Sequence, residues 1–120
     1  MSSSQAPATS DQYLLFFYVP ASHTAKCLAA IHATGAGSFP SADAATYAEA
    51  AFIIRGQGQF RPLQGANPHI GTVGELEKVE EDKVEVAVFG RDVVTAAVKA
   101  LKESHPYEAV AYGVTKCEDF

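Results

Sequence analysis

Residues 83–104 read KVEVAVFGRDVVTAAVKALKES and contain the two clearest periodic patterns of the chain. Through residue 89 the valines alternate with other residues, as on a strand with one buried face. From residue 91 the apolar side chains recur at i, i+3, i+4 and i+7, as on one face of a helix. We therefore predict a strand over Lys83–Phe89 and a helix over Arg91–Ser104, which must end before Pro106.

A second strand–helix pair is predicted near the start of the chain. Tyr13–Val19 (YLLFFYV) is a continuous apolar run, typical of a central strand covered on both faces, or nearly so. Pro20 ends this run. Ser22 is then a candidate helix N-cap, and apolar residues at helical spacing predict a helix through Ala33.

Two further strands complete the pattern. Tyr47–Arg55 (YAEAAFIIR) is predicted as a strand, although its alanine-rich start is also compatible with a helix. Glu108–Thr115 is predicted as the last strand. Val73–Glu80 shows only a partial alternation, and Phe39–Thr46 is predicted as a loop.

The predicted element order is β-α-β-β-α-β, which is the α+β ferredoxin-like arrangement. Both helices would cover one face of an antiparallel sheet. The other face would be open, with Phe16, Phe17 or Tyr18 placing apolar surface on it. An open apolar sheet face predicts self-association.

The stretch Gly56–Gly74 (GQGQFRPLQGANPHIGTVG) holds five of the nine glycines of the chain. Glycine is needed where φ is positive or where two chain segments approach closely, so this density predicts a long loop of defined shape. Phe60, Leu63 and Ile70 distinguish the stretch from a flexible linker, because they need packing partners. Long ordered loops in small domains are usually binding, interface or lid elements.

Composition limits the classes of protein. At 120 residues and 12.7 kDa, the chain is predicted to form one domain over residues 12–120, preceded by a disordered tail over Met1–Asp11. Hydrophobic residues make up 48% and no apolar run is long enough to span a membrane. The net charge of −5 argues against nucleic acid as a partner.

Two cysteines, Cys27 and Cys117, form no zinc-binding spacing. We predict that both are reduced thiols of a cytoplasmic protein. The first ten residues lack the basic start and apolar centre of a signal peptide.

A longer motif carries a resemblance to a known family. The run Gly56–Glu81 (GQGQFRPLQGANPHIGTVGELEKVEE), together with His105–Glu108 (HPYE), resembles the YqfO-type accessory domain of the Nif-three-like, dinuclear-metal hexameric proteins. The similarity covers residues 13 to about 114. It implies a PII/CutA-like fold and a homotrimer.

Two features depart from that family. The second strand commonly begins YxxCxF, whereas this chain has Ala50 in place of the cysteine, and the segment before it is lengthened. The larger module with the dinuclear metal ligands is not among these residues. We therefore expect a stand-alone domain, with a larger metalloprotein as a possible partner, and assign no metal chemistry to the chain.

Five residues are candidates for ligand binding. Arg61 is the only cation of the loop and fits a carboxylate or phosphate, with a salt bridge to a nearby glutamate as an equal alternative. Asn67 is expected to set the turn before Pro68. His69 is either a ligand contact or an exposed loop residue.

The other two candidates belong to the HPYE turn. A protonated His105 is expected to cap the last carbonyls of the second helix, with a ligand role as the alternative. Glu108, with Glu80, fits either acid–base work or structural pairing.

No catalytic signature, metal site or cofactor motif is found in the sequence. The first hypothesis is a non-catalytic binding or assembly module. The second is a sensor of an anionic metabolite or nucleotide that uses Arg61 and the loop amides. An enzyme or metal-binding protein using His69 and His105 is the third.

Overall fold

Four strands and two α-helices make up the part of the chain that the structure describes. The computed structural model describes residues 11–120. In chain order the elements are β1 (Gln12–Pro20), α1 (Thr24–His32), β2 (Phe52–Phe60), β3 (Glu77–Phe89), α2 (Arg91–Ser104) and β4 (Tyr112–Cys117). The strands form one antiparallel sheet in the order β2-β3-β1-β4. The predicted ferredoxin-like fold is therefore confirmed. Most of the predicted tail, residues 1–10, lies outside the described residues.

The hydrophobic core lies between the two helices and one face of the sheet. Alternate residues of β1 and β3 point into it, and each helix contributes side chains from its inner face. The largest fully buried side chains are Leu15, Phe17, Val19, Ile31, Val84, Val86, Val88 and Leu101. Among residues 11–120, no helix is long and apolar enough to cross a bilayer.

The other face of the sheet carries no helix. Leu14 and Phe16 are half-buried there, and Tyr18 is 38% exposed. The ring of Phe16 lies against Gly113 of the neighbouring strand, where a Cβ atom would overlap it. The interpretation of β1 as a central strand covered on both faces, or nearly so, is thus correct for the helix side, which is fully buried, whereas the other side is only half-buried. Phe17, which was a candidate for the open face, lies in the core.

Strand β3 is longer than its neighbour β1. Its 13 residues pair with β1 only from Phe89 back to Glu81, where β1 ends at Pro20. Beyond that point β3 pairs with β2 alone, out to the pair Phe60–Glu77. The last part of the two strands is therefore a two-stranded ribbon that projects past the sheet. The described molecule is accordingly elongated, with extents of 65 × 25 × 24 Å.

Several predicted boundaries were wrong. The loop begins at Arg61 rather than Gly56, because the first five residues of the glycine-rich stretch continue the ladder with β3. The second strand begins at Phe52, and Tyr47 forms only an isolated bridge with Phe39. The partial alternation from Val73 belongs, from residue 77 onward, to one continuous strand. The last strand starts at residue 112.

The start of α1 also differs from the prediction. A 3₁₀ turn, Ala21–His23, precedes the helix, and His23 is its N-cap without a side-chain capping bond. Ser22 instead pairs its hydroxyl with the ring Nδ1 of His23 at 2.9 Å. By contrast, α2 spans Arg91–Ser104 as predicted.

A buried carboxylate joins three elements of the fold. Asp82 of β3 is 2% exposed. It accepts hydrogen bonds from Thr24 Oγ1 of α1 at 2.5 Å and from Arg55 Nε of β2 at 2.6 Å. Burial alone would raise its pKa, but these two bonds and the Arg55 charge outweigh it and hold the pKa of Asp82 below its ordinary value.

We expect Asp82→Asn to lower the free energy of unfolding by about 2 kcal/mol at neutral pH, since it weakens two hydrogen bonds to a buried charge. The folded-state pKa lies below the unfolded value, so this stabilisation is present in full above about pH 4. It is lost as the pH falls through the folded-state pKa. Urea unfolding across the acid range measures both effects, with Asp43→Asn, at an exposed loop position, as the matched control. Equal loss in the two variants would contradict this role of Asp82.

Candidate ligand-binding cleft

A cavity of about 370 Å³ lies at the end of the sheet where β1 stops. One wall consists of Gly58 and Phe60 of the projecting ribbon and of Glu81, the last residue of β3 that pairs with β1. A second wall comes from the loop after β2, and a third from residues 107–111, which connect α2 to β4. Tyr18, near the end of β1, completes the lining. The cavity therefore forms because β3 extends beyond the end of β1.

The loop over residues 61–76 is closed on itself at its base. The Arg61 guanidinium donates to the carbonyl of Gly74 at 2.7 Å, and the Gly74 amide donates to the carbonyl of Pro62 at 2.8 Å. Gly65, Gly71 and Gly74 take positive φ angles, whereas Gly56 and Gly58 do not. The prediction of a defined loop shape therefore applies to the part after residue 60.

The loop also meets the HPYE turn, 41 residues further along the chain. The Asn67 backbone amide donates to Glu108 Oε2 at 2.8 Å. Asn67 is thus held by its main chain, and the expected turn-setting bond from its side chain is not among its hydrogen bonds. Glu108 does not pair with Glu80, which instead forms an ion pair with Arg55 at 3.1 Å.

His105 is fixed by both of its ring nitrogens. Its Nε2 lies 2.7 Å from the Tyr18 carbonyl and must donate to it, while Nδ1 accepts from the Tyr107 amide at 3.1 Å. This pair of bonds requires the neutral ring. Burial, and secondarily the nearby His23, lowers the pKa of His105 despite the bond to Tyr18. The expected capping of α2 by a protonated ring was wrong, because the ring bonds to β1 instead.

Tyr107 and Glu81 form the polar floor of the cavity. The Tyr107 hydroxyl is buried and makes no hydrogen bond of acceptable geometry to the described residues. Burial, with the adjacent Glu81 carboxylate, raises the pKa of Tyr107 to about 12. Burial also raises the pKa of Glu81, and its proximity to the tyrosine hydroxyl offsets this only in part.

Gly58 determines where the Glu81 carboxylate can lie. A Cβ atom at position 58 would overlap Glu81 Oε1, so the carboxylate occupies the space that a side chain would fill. Sequence reasoning singled out neither Glu81 nor Tyr107 as a site residue. Both lie in the motif that carries the family resemblance, which was the one available signal.

The histidine of the loop takes part in an aromatic cluster. His69 lines the cavity, with its ring 5.7 Å from the ring of His23 and 6.4 Å from that of Tyr107. Tyr107 in turn lies 5.8 Å from Phe60, edge to face. Residues 11–120 contain no group of three or more side chains placed to hold a metal ion.

The charges of the cavity have one sign. Among residues 11–120, Glu81 and Glu108 line it, and no lysine or arginine does. Arg61 lies outside the lining and is committed to the loop backbone. Of the five predicted ligand-binding residues, His69 and Glu108 therefore line the cavity. The other three, Arg61, Asn67 and His105, support its walls through hydrogen bonds without lining it.

The fold of this chain is similar to that of CutA proteins. CutA1 from Oryza sativa superimposes with a TM-score of 0.63 at 10% identity, covering 93% of this chain and 84% of that one. CutA1 from Ehrlichia chaffeensis gives a TM-score of 0.63 at 12% identity, covering 92% and 85%. At such identity the similarity concerns the fold alone.

Sequence similarity connects the chain to one part of a set of longer proteins. A protein of Bacillus subtilis named GTP cyclohydrolase 1 type 2 homolog is 42% identical over 104 residues, which is 87% of this chain and 26% of that protein. The Mycobacterium leprae protein of the same name is 36% identical over 107 residues, covering 89% and 26%. A Bacillus cereus protein related to NIF3 superimposes with a TM-score of 0.74 at 29% identity, covering 95% of this chain and 28% of that one. No protein-family model matches the chain.

The chain is thus a relative of the NIF3-related proteins, as the motif predicted, and spans about a quarter of the length of the curated relatives that it matches.

We expect Tyr107→Phe to leave the free energy of unfolding unchanged or to raise it by up to about 1 kcal/mol, because the lost hydroxyl is buried and makes no hydrogen bond of acceptable geometry to residues 11–120. Chemical denaturation of both proteins measures this. A loss of stability above about 1 kcal/mol would mean that the hydroxyl is bonded in solution.

We expect His105→Ala to cost about 2 kcal/mol near neutral pH, since two hydrogen bonds are lost. The folded-state pKa of His105 lies below its unfolded value. Its contribution is therefore full above about pH 6.5 and falls as the pH drops through the folded-state pKa. The stability difference between wild type and variant should shrink on acidification. The exposed His69→Ala serves as control, and a difference that grows on acidification would contradict the neutral ring.

Proposed function

We propose that the chain is a non-catalytic binding module that self-associates, as a homotrimer, through its sheet. The observation that carries this proposal is the outer edge of the sheet. Among the described strands, β2 pairs only with β3. Its residues Phe52, Ile53 and Ile54, here called the β2 patch, are 62%, 48% and 48% exposed. An exposed apolar edge strand is a template for pairing with another chain.

The opposite edge supplies a surface for the same contact. Strand β4 ends the sheet and carries Tyr112 and Val114, each 37% exposed. When two different surfaces of one chain meet head to tail, copies add in one direction and close into a ring if the rotation allows it. The resemblance to CutA and PII proteins implies a homotrimer, so the proposed ring contains three copies.

A non-catalytic role is supported by the state of the HPYE histidine. His105 uses both ring nitrogens within the fold, so neither is free to transfer a proton to a ligand. Cys27 and Cys117 are both free thiols, which supports the proposed cytoplasmic location. The proposed larger partner is a metalloprotein that resembles the remaining three quarters of the relatives.

A small-molecule sensor is the second candidate, since a cavity of this volume lies within the range of ligand sites. The version with an anionic ligand loses support, because the cavity is lined by two carboxylates and Arg61 is turned elsewhere.

Native mass spectrometry of Ile54→Glu tests the proposed assembly. The new carboxylate faces Lys83 across the ladder, so the protomer should stay folded while the β2 patch becomes charged. We expect a trimer for wild type and monomers for the variant, with at least a tenfold weaker association, or about 1.4 kcal/mol.

Ala96→Glu, which adds the same charge to the exposed side of α2, is the matched control and should remain trimeric. A wild-type monomer, or an Ile54→Glu trimer as stable as the control, would refute the proposed interface.

A further inference from the structure

The cleft holds a carboxylate that lacks a counter-charge. Glu108 already accepts the Asn67 amide, but Glu81 forms no ion pair with any residue of 11–120. Glu81 is partly buried, and its carboxylate lies in the space that a side chain at position 58 would fill. A partly buried charge without a partner is costly, so a bound cation there would be stabilised more strongly than at the surface.

The group nearest to this carboxylate does not balance its charge. The buried Tyr107 hydroxyl lies beside Glu81 and makes no hydrogen bond of acceptable geometry to residues 11–120, and a neutral hydroxyl supplies no counter-charge. Tyr107 also belongs to the cavity lining. The rings of Tyr18, Phe60 and Tyr107 supply aromatic surface around it. Aromatic faces attract ammonium groups, most strongly where water is excluded.

We propose that the cleft binds a small organic cation, a primary amine or a quaternary ammonium compound, with its charge against Glu81 and its apolar body against Tyr18, Phe60 and Tyr107. The volume of about 370 Å³ lies near the lower end for ligand pockets and fits a metabolite-sized molecule. The described lining contains two carboxylates and neither lysine nor arginine, which favours a cation over an anion as the ligand. This binding is independent of the proposed self-association.

Isothermal titration calorimetry of the intact protein with matched probes tests the charge preference. The cationic probes are choline and phenethylammonium, and their uncharged counterparts of similar shape are dimethylbutanol and phenethyl alcohol. Phenylpropionate is the anionic probe. We expect saturable binding of at least one cation, one per protomer, and at least about tenfold weaker binding of its uncharged counterpart and of the anion.

Two variants test the role of Glu81. Glu81→Gln removes the charge, and Gly58→Ala displaces the carboxylate while only a flexible side-chain end has to move. Both should weaken cation binding at least about tenfold and leave the binding of the uncharged probes unchanged. Glu103→Gln, an exposed carboxylate of α2, is the matched control and should bind like wild type.

The result that would overturn the proposal is equally specific. If neither cation binds at millimolar concentration, or if the anion binds as tightly as the cations, the assigned ligand class is wrong. If Glu81→Gln and Glu103→Gln bind the cations equally, Glu81 is not the counter-charge. Native mass spectrometry of the same variants separates this result from the assembly proposal, since both should keep the wild-type subunit number.

Discussion

The unequal lengths of β1 and β3 determine where the cleft can form. The two strands pair until Pro20 meets Glu81, and β3 then continues with β2 as its single neighbour. A ribbon that leaves the sheet has unprotected faces, and it needs cover from elsewhere in the chain. The loop after β2 and the HPYE turn approach it, and the Asn67–Glu108 hydrogen bond joins them. The cavity is the space that these segments leave unfilled.

The same region contains two carboxylates in contrasting environments. Asp82, on the helix side of β3, is surrounded by Thr24 and Arg55, which satisfy its charge inside the fold. Glu81, one residue earlier, points to the opposite face because strand side chains alternate. No described cation approaches Glu81 within ion-pair distance. Asp82 therefore stabilises the fold, whereas Glu81 remains available for a ligand.

Particular residues show why the candidate site was only partly predicted. The glycines of residues 56–74 correctly marked an unusual region, but Gly58 serves a close approach within a strand rather than a turn. Arg61 was predicted to bind a ligand because of its charge, whereas its guanidinium donates a hydrogen bond to the Gly74 carbonyl. His105 was assigned to the adjacent helix end, whereas its partner, Tyr18, lies 87 residues away. Sequence reasoning failed for Arg61 and His105 because each side chain bonds to a backbone carbonyl. A backbone carbonyl has no signature in the sequence, and that of Tyr18 is also far from His105 along the chain.

The sequence by itself determined the order of the elements, the span of α2, the core face of β3 and the resemblance to NIF3-related proteins, since these depend on local periodicity and on a contiguous motif. Only the tertiary structure decided how far β2 and β3 extend, which face Phe17 takes, and that Glu81 and Tyr107 share a cavity. Strand pairing and burial depend on which segments approach one another in space. An alternating pattern shows that successive side chains of a strand point to opposite faces of the sheet. It does not show which segment of the chain packs against each face.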